Sequence, residues 1–217
     1  MSRLVVVFVG WASPKKLYID FIPKGYDIAF ADNFDITKSK INFKKYKEII
    51  FFSWSMGTIQ SLKWRQKIIP KKHILISPTL NFTKRNSEKT VRKMIEGLNK
   101  NKKKILHFFI KLNFYDNEKF KEYWEKYEDE IQKLNVSKLK IELEFLINEN
   151  ISSLKFKGED YLILVAKNDK IISGEDAIDI EKKIKIFKTI TFINCGHNIL
   201  YEQNTLALKI IGDYLND

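Results

Sequence analysis

Apolar residues along this chain come in short, nearly unbroken runs, at 4–9, 26–31, 49–52, 73–77, 161–166 and 189–193. These runs are rich in β-branched and aromatic side chains, and most lack the polar alternation of a half-solvated strand. Strands that are apolar on both faces belong in a sheet covered on both sides, which predicts a mostly parallel α/β sheet with crossover helices. Helix-period patterns fall where crossovers are needed, over 57–67, 175–185 and 199–215; the last carries Ile199, Leu200, Leu206, Ile210, Ile211 and Leu215 on its apolar stripe.

Residues 80–150 break this rhythm. The stretch is long, helix-periodic and rich in Lys, Glu and aromatic residues, with no strand-like run. It reads as an inserted helical cap (80–150) on an α/β core made of residues 1–79 and 151–217. Its aromatics, from Phe108 through Phe114, Phe120 and Trp124 to Tyr127, are expected chiefly to pack the cap against the core.

Composition narrows the class. The chain has 217 residues, 44% of them hydrophobic, enough for one sizeable core. Lys plus Arg number 39 against 27 Asp plus Glu, a formal charge of +12, which favours acidic partners. Most of the excess lies between Lys84 and Lys111, where only Glu88 and Glu96 oppose the basic residues. Arginine is confined to Arg3, Arg65, Arg85 and Arg92, which disfavours sequence-specific nucleic-acid reading, because bidentate base contacts prefer guanidinium. A single cysteine, Cys195, rules out an internal disulfide, and with three histidines it leaves little material for a metal site. No metal or other cofactor is expected. A reducing, cytoplasmic setting follows. The apolar run Leu4–Ala12 is too short to span a bilayer and ends in Gly10-Trp11 rather than a small-residue cleavage site, so it reads as a buried first strand.

Three loops that follow strands carry candidate chemistry. After the third strand comes Ser53-Trp54-Ser55-Met56-Gly57 and then a helix, the strand–turn–helix context of a nucleophile elbow of G-x-S-x-G type, with Ser53 in place of the first glycine. The turn brings two backbones close together, so small residues must flank the serine. Asp169 follows strand 161–166, and Cys195-Gly196-His197-Asn198 follows strand 189–193. The order Ser55, Asp169, His197, each at the carboxyl end of a strand, is that of an α/β-hydrolase triad. In that arrangement His197 would take the Ser55 proton, and Asp169 would orient the imidazole and stabilise its cation. The backbone N–H groups of Met56 and of Trp11, in the loop after the first strand, are the natural oxyanion donors. His73 and His107 read as structural or surface residues and Cys195 as core.

With these residues in view, the chain resembles the biotin-pathway pimeloyl-acyl-carrier-protein methyl ester esterases, of the compact BioG type and its BioH relatives. Val9-Gly10-Trp11-Ala12 is similar to that family's first-strand Gly-Trp loop, Ser53–Gly57 to its Trp-containing elbow, and Asn168-Asp169 and Gly196-His197 to its remaining triad elements. The resemblance covers the core and not the cap. It implies an α/β-hydrolase fold, with Ser55, Asp169 and His197 catalytic, Met56 and Trp11 as oxyanion donors and Trp11 also touching substrate. It further implies hydrolysis of the methyl ester of a pimeloyl chain held on the phosphopantetheine of an acyl carrier protein. Such carriers are acidic, which would suit the basic edge around Lys84–Lys111. The residues themselves leave two other readings open: a hydrolase of another acyl ester or thioester, and a non-catalytic binding protein on a hydrolase scaffold.

Overall fold

The computed structural model describes residues 2–31, 33–156 and 160–216. Six strands form one sheet: β1 (Arg3–Phe8), β2 (Asp27–Phe30), β3 (Glu48–Trp54), β4 (Lys72–Ile76), β5 (Asp160–Ala166) and β6 (Phe187–Phe192). Their order is β2-β1-β3-β4-β5-β6 and every pairing is parallel. Each of the six apolar runs is a strand. Residues 4–8 of β1, 50–54 of β3 and all of β4 are buried, whereas β2 and β6 at the two edges are partly exposed. Burying a large apolar side chain contributes ~1.5–3 kcal/mol, so the four central strands are the main source of stability.

The strand order creates a switch point. From β1 the chain moves outward to β2, and from β3 it moves the opposite way to β4, β5 and β6. The loops after β1 and β3 therefore diverge, leaving a crevice at the carboxyl edge where α/β sheets bind ligands. The register Phe8↔Ser53 and Trp54↔Ile76 places the ends of β1, β3 and β4 side by side there.

Helices α1 (Lys16–Ile19), α2 (Met56–Trp64), α6 (Gly174–Glu181), α7 (Ile199–Glu202) and α8 (Asn204–Asn216) accompany the sheet. The pattern over 199–215 reads as one helix, but the structure breaks it at Gln203 (φ −121°, ψ 35°). The break leaves Glu202 buried, its carboxylate engaged with the neighbouring loop, and α8 restarts independently.

Between β4 and β5 lie α3 (Glu88–Leu112), α4 (Asn117–Gln132) and α5 (Val136–Asn148). Where this insertion joins the sheet, Ile151 N donates to Leu80 O at 2.9 Å and Asn81 bridges Asn150. Ser87, Asp116 and Asn135 cap the three helices through their side chains, each cap contributing roughly 1 kcal/mol. Helix α3 is broken at Asn101 (φ −156°, ψ 81°), whose Oδ1 accepts from Lys104 N at 2.9 Å and starts the second half. Aromatic contacts among Phe114, Tyr123, Tyr127 and Tyr201 join α3–α4 to α7. No helix among the described residues is long and apolar enough to cross a membrane.

Candidate active site

Ser55 sits between the end of β3 and the first residue of α2 with φ 54° and ψ −121°, a conformation that costs a non-glycine residue about 1–3 kcal/mol. The surroundings hold it there. Ser55 N donates to Ile76 O at 2.9 Å, and Ser55 O accepts from Thr58 N at 2.8 Å and from Thr58 Oγ1 at 2.6 Å. Gly57 is obligatory, because a Cβ there would lie 2.1 Å from the Phe8 carbonyl oxygen. Ser53, which replaces the usual first glycine, is fully buried, and its Oγ donates to Ile74 O at 2.7 Å. The neighbouring strand thus satisfies the extra hydroxyl.

The turn after β5 carries Asp169, whose Oδ1 accepts from Ile171 N at 2.8 Å and Ile172 N at 2.9 Å while Oδ2 lies 2.7 Å from His197 Nδ1. Both side chains are almost wholly buried. The loop bearing His197 is fixed on several sides. Trp54 Nε1 donates to His197 O at 3.1 Å and its ring lies 5.3 Å from the imidazole; Asn198 N donates to Asn113 O at 2.9 Å. With Nδ1 committed to Asp169, the imidazole leaves Nε2 as its second nitrogen, and that atom has no hydrogen-bond partner among the described residues. Asp169 and His197 are therefore brought into direct contact. Ser55 is sequence-adjacent to the Trp54 that packs on His197, but its Oγ is not hydrogen-bonded to Nε2; catalytic contacts are often long before substrate binds.

Met56 begins α2, so its N–H lies at the open amino end of the helix, and neither it nor the Trp11 N–H meets an acceptor among the described residues. Tyr18 steadies the loop holding Trp11: its hydroxyl accepts from Gly10 N at 2.9 Å and donates to Ser13 Oγ at 3.0 Å. The indole of Trp11 faces the insertion. Its Nε1 donates to Leu139 O at 3.0 Å, and its ring meets Phe109 edge-on at 4.6 Å. The indole N–H is thus already used, and of the two Trp11 N–H groups only the backbone one is unpaired among the described residues.

A cavity of about 480 Å³ adjoins this edge, lined by Val9, Phe34, Met56, Gln60 and, from α5, Ile141 and Glu142. Burial pushes the Glu142 carboxyl up to about 7, with Lys138 opposing the shift. Sequence reasoning passed over two buried acids, Glu142 and Glu202. Glu202 accepts from Gly196 N at 2.6 Å, Tyr115 N at 2.9 Å and Asp116 N at 2.8 Å, tying the histidine loop to the α3–α4 turn. A Cβ on Gly196 would come within 2.6 Å of Asn113 O, which shows how closely the two segments pack. Each acid occupies a position on an otherwise apolar helical stripe, with Leu139, Leu143 and Leu146 around Glu142 and Ile199 and Leu200 before Glu202. A lone acid in an apolar pattern was the available signal.

His73 is fully buried between Phe51 and Tyr161, its Nε2 2.9 Å from Ser61 Oγ, and desolvation drives it down to about 3. His107 stands exposed against Phe120 and Trp124. Cys195 is buried and burial pushes its thiol up, so it is a poor nucleophile. The described residues contain no group of three or more His, Cys, Asp or Glu able to hold a metal.

The basic edge differs from its sequence reading. Lys84 pairs with Asp179, and Arg85 with Glu175, Asp176 and Asp179, so both face α6 rather than a free cap surface. Arg92 pairs with Glu88, Lys103 pairs with Glu128, and Lys102 donates to the Leu134 carbonyl. Lys89, Lys93, Lys100, Lys104 and Lys111 are exposed and have no ion pair among the described residues. Apart from Glu88, one turn before Arg92 on the same helix, these acids lie on other helices, so only folding brings them together.

No protein-family profile and no curated protein sequence matches the chain. Solved structures do. An esterase from Exiguobacterium antarcticum superposes with a TM-score of 0.83 at 16% identity, covering 100% of this chain and 92% of its own. The enol-lactonase from Burkholderia xenovorans LB400 gives 0.80 at 10% identity over 100% and 92% of the two chains. BioG from Haemophilus influenzae gives 0.66 at 17% identity over 89% of each. At such identities the likeness establishes the fold, which is that of the α/β-hydrolases.

Proposed function

We propose that the chain is a serine carboxylesterase in which Ser55 is the nucleophile, His197 the general base and acid, and Asp169 the residue that orients it. The observation that carries this reading is the buried Asp169–His197 pair at 2.7 Å behind a serine held at φ 54° on a strand-to-helix elbow. In the first step Ser55 Oγ attacks the ester carbonyl as its proton passes to His197 Nε2. The tetrahedral oxyanion takes hydrogen bonds from the N–H groups of Met56 and Trp11. Collapse breaks the bond to the alcohol oxygen, which leaves with the proton from His197. Water, deprotonated by the same nitrogen, then releases the acid and restores Ser55.

The substrate we propose is the methyl ester of a pimeloyl chain borne on acyl carrier protein, giving methanol and a free terminal carboxylate, with a place in biotin synthesis and a cytoplasmic setting. Its support is the resemblance of the Gly-Trp loop and the Trp-containing elbow, the likeness to BioG, and five unpaired lysines on α3 suited to an acidic carrier. The test is intact-mass analysis of carrier protein bearing the pimeloyl methyl ester, incubated with wild type and with Ser55→Ala. Loss of one methylene mass with wild type alone is the expected result; an unchanged carrier in both would remove the pathway reading. A second reading, hydrolysis of a different acyl ester, is favoured by the higher TM-scores to the esterase and the enol-lactonase. It would show as turnover of free esters that the carrier-bound substrate does not outcompete.

A further inference from the structure

We infer that Glu142, with Lys138 beside it, sets the specificity of the cavity next to Met56 by binding a neutral group that both donates and accepts a hydrogen bond. The group we assign is an amide in the chain attached to the scissile ester. This rests on the serine-esterase reading and adds the part of the substrate that the cavity recognises.

Helix α5 turns Leu139, Glu142, Leu143 and Leu146 inward, and of these only Glu142 is polar. It is 7% exposed, yet it accepts no hydrogen bond from any described residue, and its nearest cation, Lys138 Nζ, is 3.9 Å away. The cavity's other polar side chains, Asn33, Gln60, Asn135 and Ser137, make no hydrogen bond to it. The Gln60 amide nitrogen is already spent on Asn33 O at 2.6 Å, Asn33 Oδ1 on Asp35 N and Asn135 Oδ1 on Lys138 N, and Val9, Phe34, Met56 and Ile141 have apolar side chains. A carboxyl buried on a cavity wall without a protein donor costs stability unless the cavity's occupant pairs with it. Because burial brings it to about 7, both protonation forms exist near neutral pH. The protonated form donates to a carbonyl and the ionised form accepts an N–H, with Lys138 free to donate to the carbonyl in that case. An amide serves either form. A hydrocarbon chain leaves the carboxyl unpaired, and a carboxylate meets like charge. The prosthetic arm of a carrier-bound acyl chain contains amides, so the proposed substrate is of this class.

The experiment compares kcat/KM for two esters of similar length, p-nitrophenyl 5-acetamidopentanoate and p-nitrophenyl octanoate, in wild type, Glu142→Leu, Glu142→Gln and Lys138→Met. Wild type should favour the amide ester. Glu142→Leu should shift the ratio towards octanoate by about tenfold or more, whereas Glu142→Gln, which can still donate and accept, should keep most of the preference. An unshifted ratio in Glu142→Leu overturns the inference. Should that variant not fold, an unshifted ratio in Lys138→Met, whose side chain is 56% exposed, does the same. Failure of the parent reading looks different, since wild type would then cleave neither ester or Ser55→Ala would cleave both.

Discussion

The carboxyl edge of the sheet and the α3–α5 insertion answer to different constraints. At the edge, backbone atoms dictate residue identity: Gly57 faces the Phe8 carbonyl oxygen at 2.1 Å from a would-be Cβ, and Gly196 faces Asn113 O at 2.6 Å. The Ser53 hydroxyl there has its partner in Ile74 O, whereas His197 Nε2 and the N–H groups of Met56 and Trp11 are left open among the described residues. The insertion is held instead by side chains: capping residues, an aromatic cluster and ion pairs such as Lys103 with Glu128. It also leaves a buried carboxyl, Glu142, without a protein donor. The proposed chemistry would therefore rest on steric rules that few residues satisfy, and the proposed recognition on helix surfaces whose residues can be exchanged.

The sharpest test of this contrast is Ser55→Ala, expected to lower ester turnover by about 10⁴-fold or more while the urea midpoint barely moves. Retained turnover would sink the assignment. Next is Gly57→Ala, which forces a backbone clash and should cost about 3 kcal/mol or prevent folding, against Gly212→Ala in α8, where a Cβ meets nothing within 4 Å. The latter should stabilise by roughly 0.5–1 kcal/mol through helix propensity. Equal effects at the two glycines, read by urea unfolding, would refute the steric account.

Glu142 predicts a pH dependence. Its carboxyl rises from 4.5 to about 7 on folding, so its stabilising effect is complete below 4.5 and is lost as pH climbs through 7. The change is on the order of 3 kcal/mol, and Glu142→Gln should flatten that slope. His73, driven down to about 3, acts oppositely, costing stability as pH falls below 6.5, so the difference between variant and wild type isolates Glu142. Glu202→Gln replaces a carboxylate that accepts three N–H groups by an amide with a single acceptor. Loosening the histidine loop in this way should lower kcat by about tenfold with KM little changed. An equal change in both would place Glu202 in substrate binding instead. The smallest effect belongs to the exposed lysines: Lys93→Gln and Lys100→Gln should each alter stability by less than about 0.5 kcal/mol. Together they should weaken binding to an acidic carrier at low salt.

Much of the molecule was legible because its signals are local. All six strands announce themselves as apolar runs, and Ser55, Asp169 and His197 each follow one directly, so chain order alone suggested a shared edge. Other features needed the fold. The break at Gln203 interrupts a continuous apolar pattern, because Glu202 is drawn to N–H groups on Gly196, Tyr115 and Asp116, the last two nearly ninety positions away. The basic stretch looked uniform, yet Lys84 and Arg85 find carboxylates on α6 that lie more than ninety positions on.

Sequence by itself determined the six strands, the parallel sheet and the placing of Ser55, Asp169 and His197 after three of its strands. These follow from periodicity and from steric demands that act between chain neighbours. Tertiary structure alone decided that Trp11 locks its indole onto α5, which of the lysines stay free, and that Glu142 faces the cavity beside Met56. Such facts depend on which distant surfaces meet, and burial and partner choice are properties of that meeting rather than of any local stretch of chain.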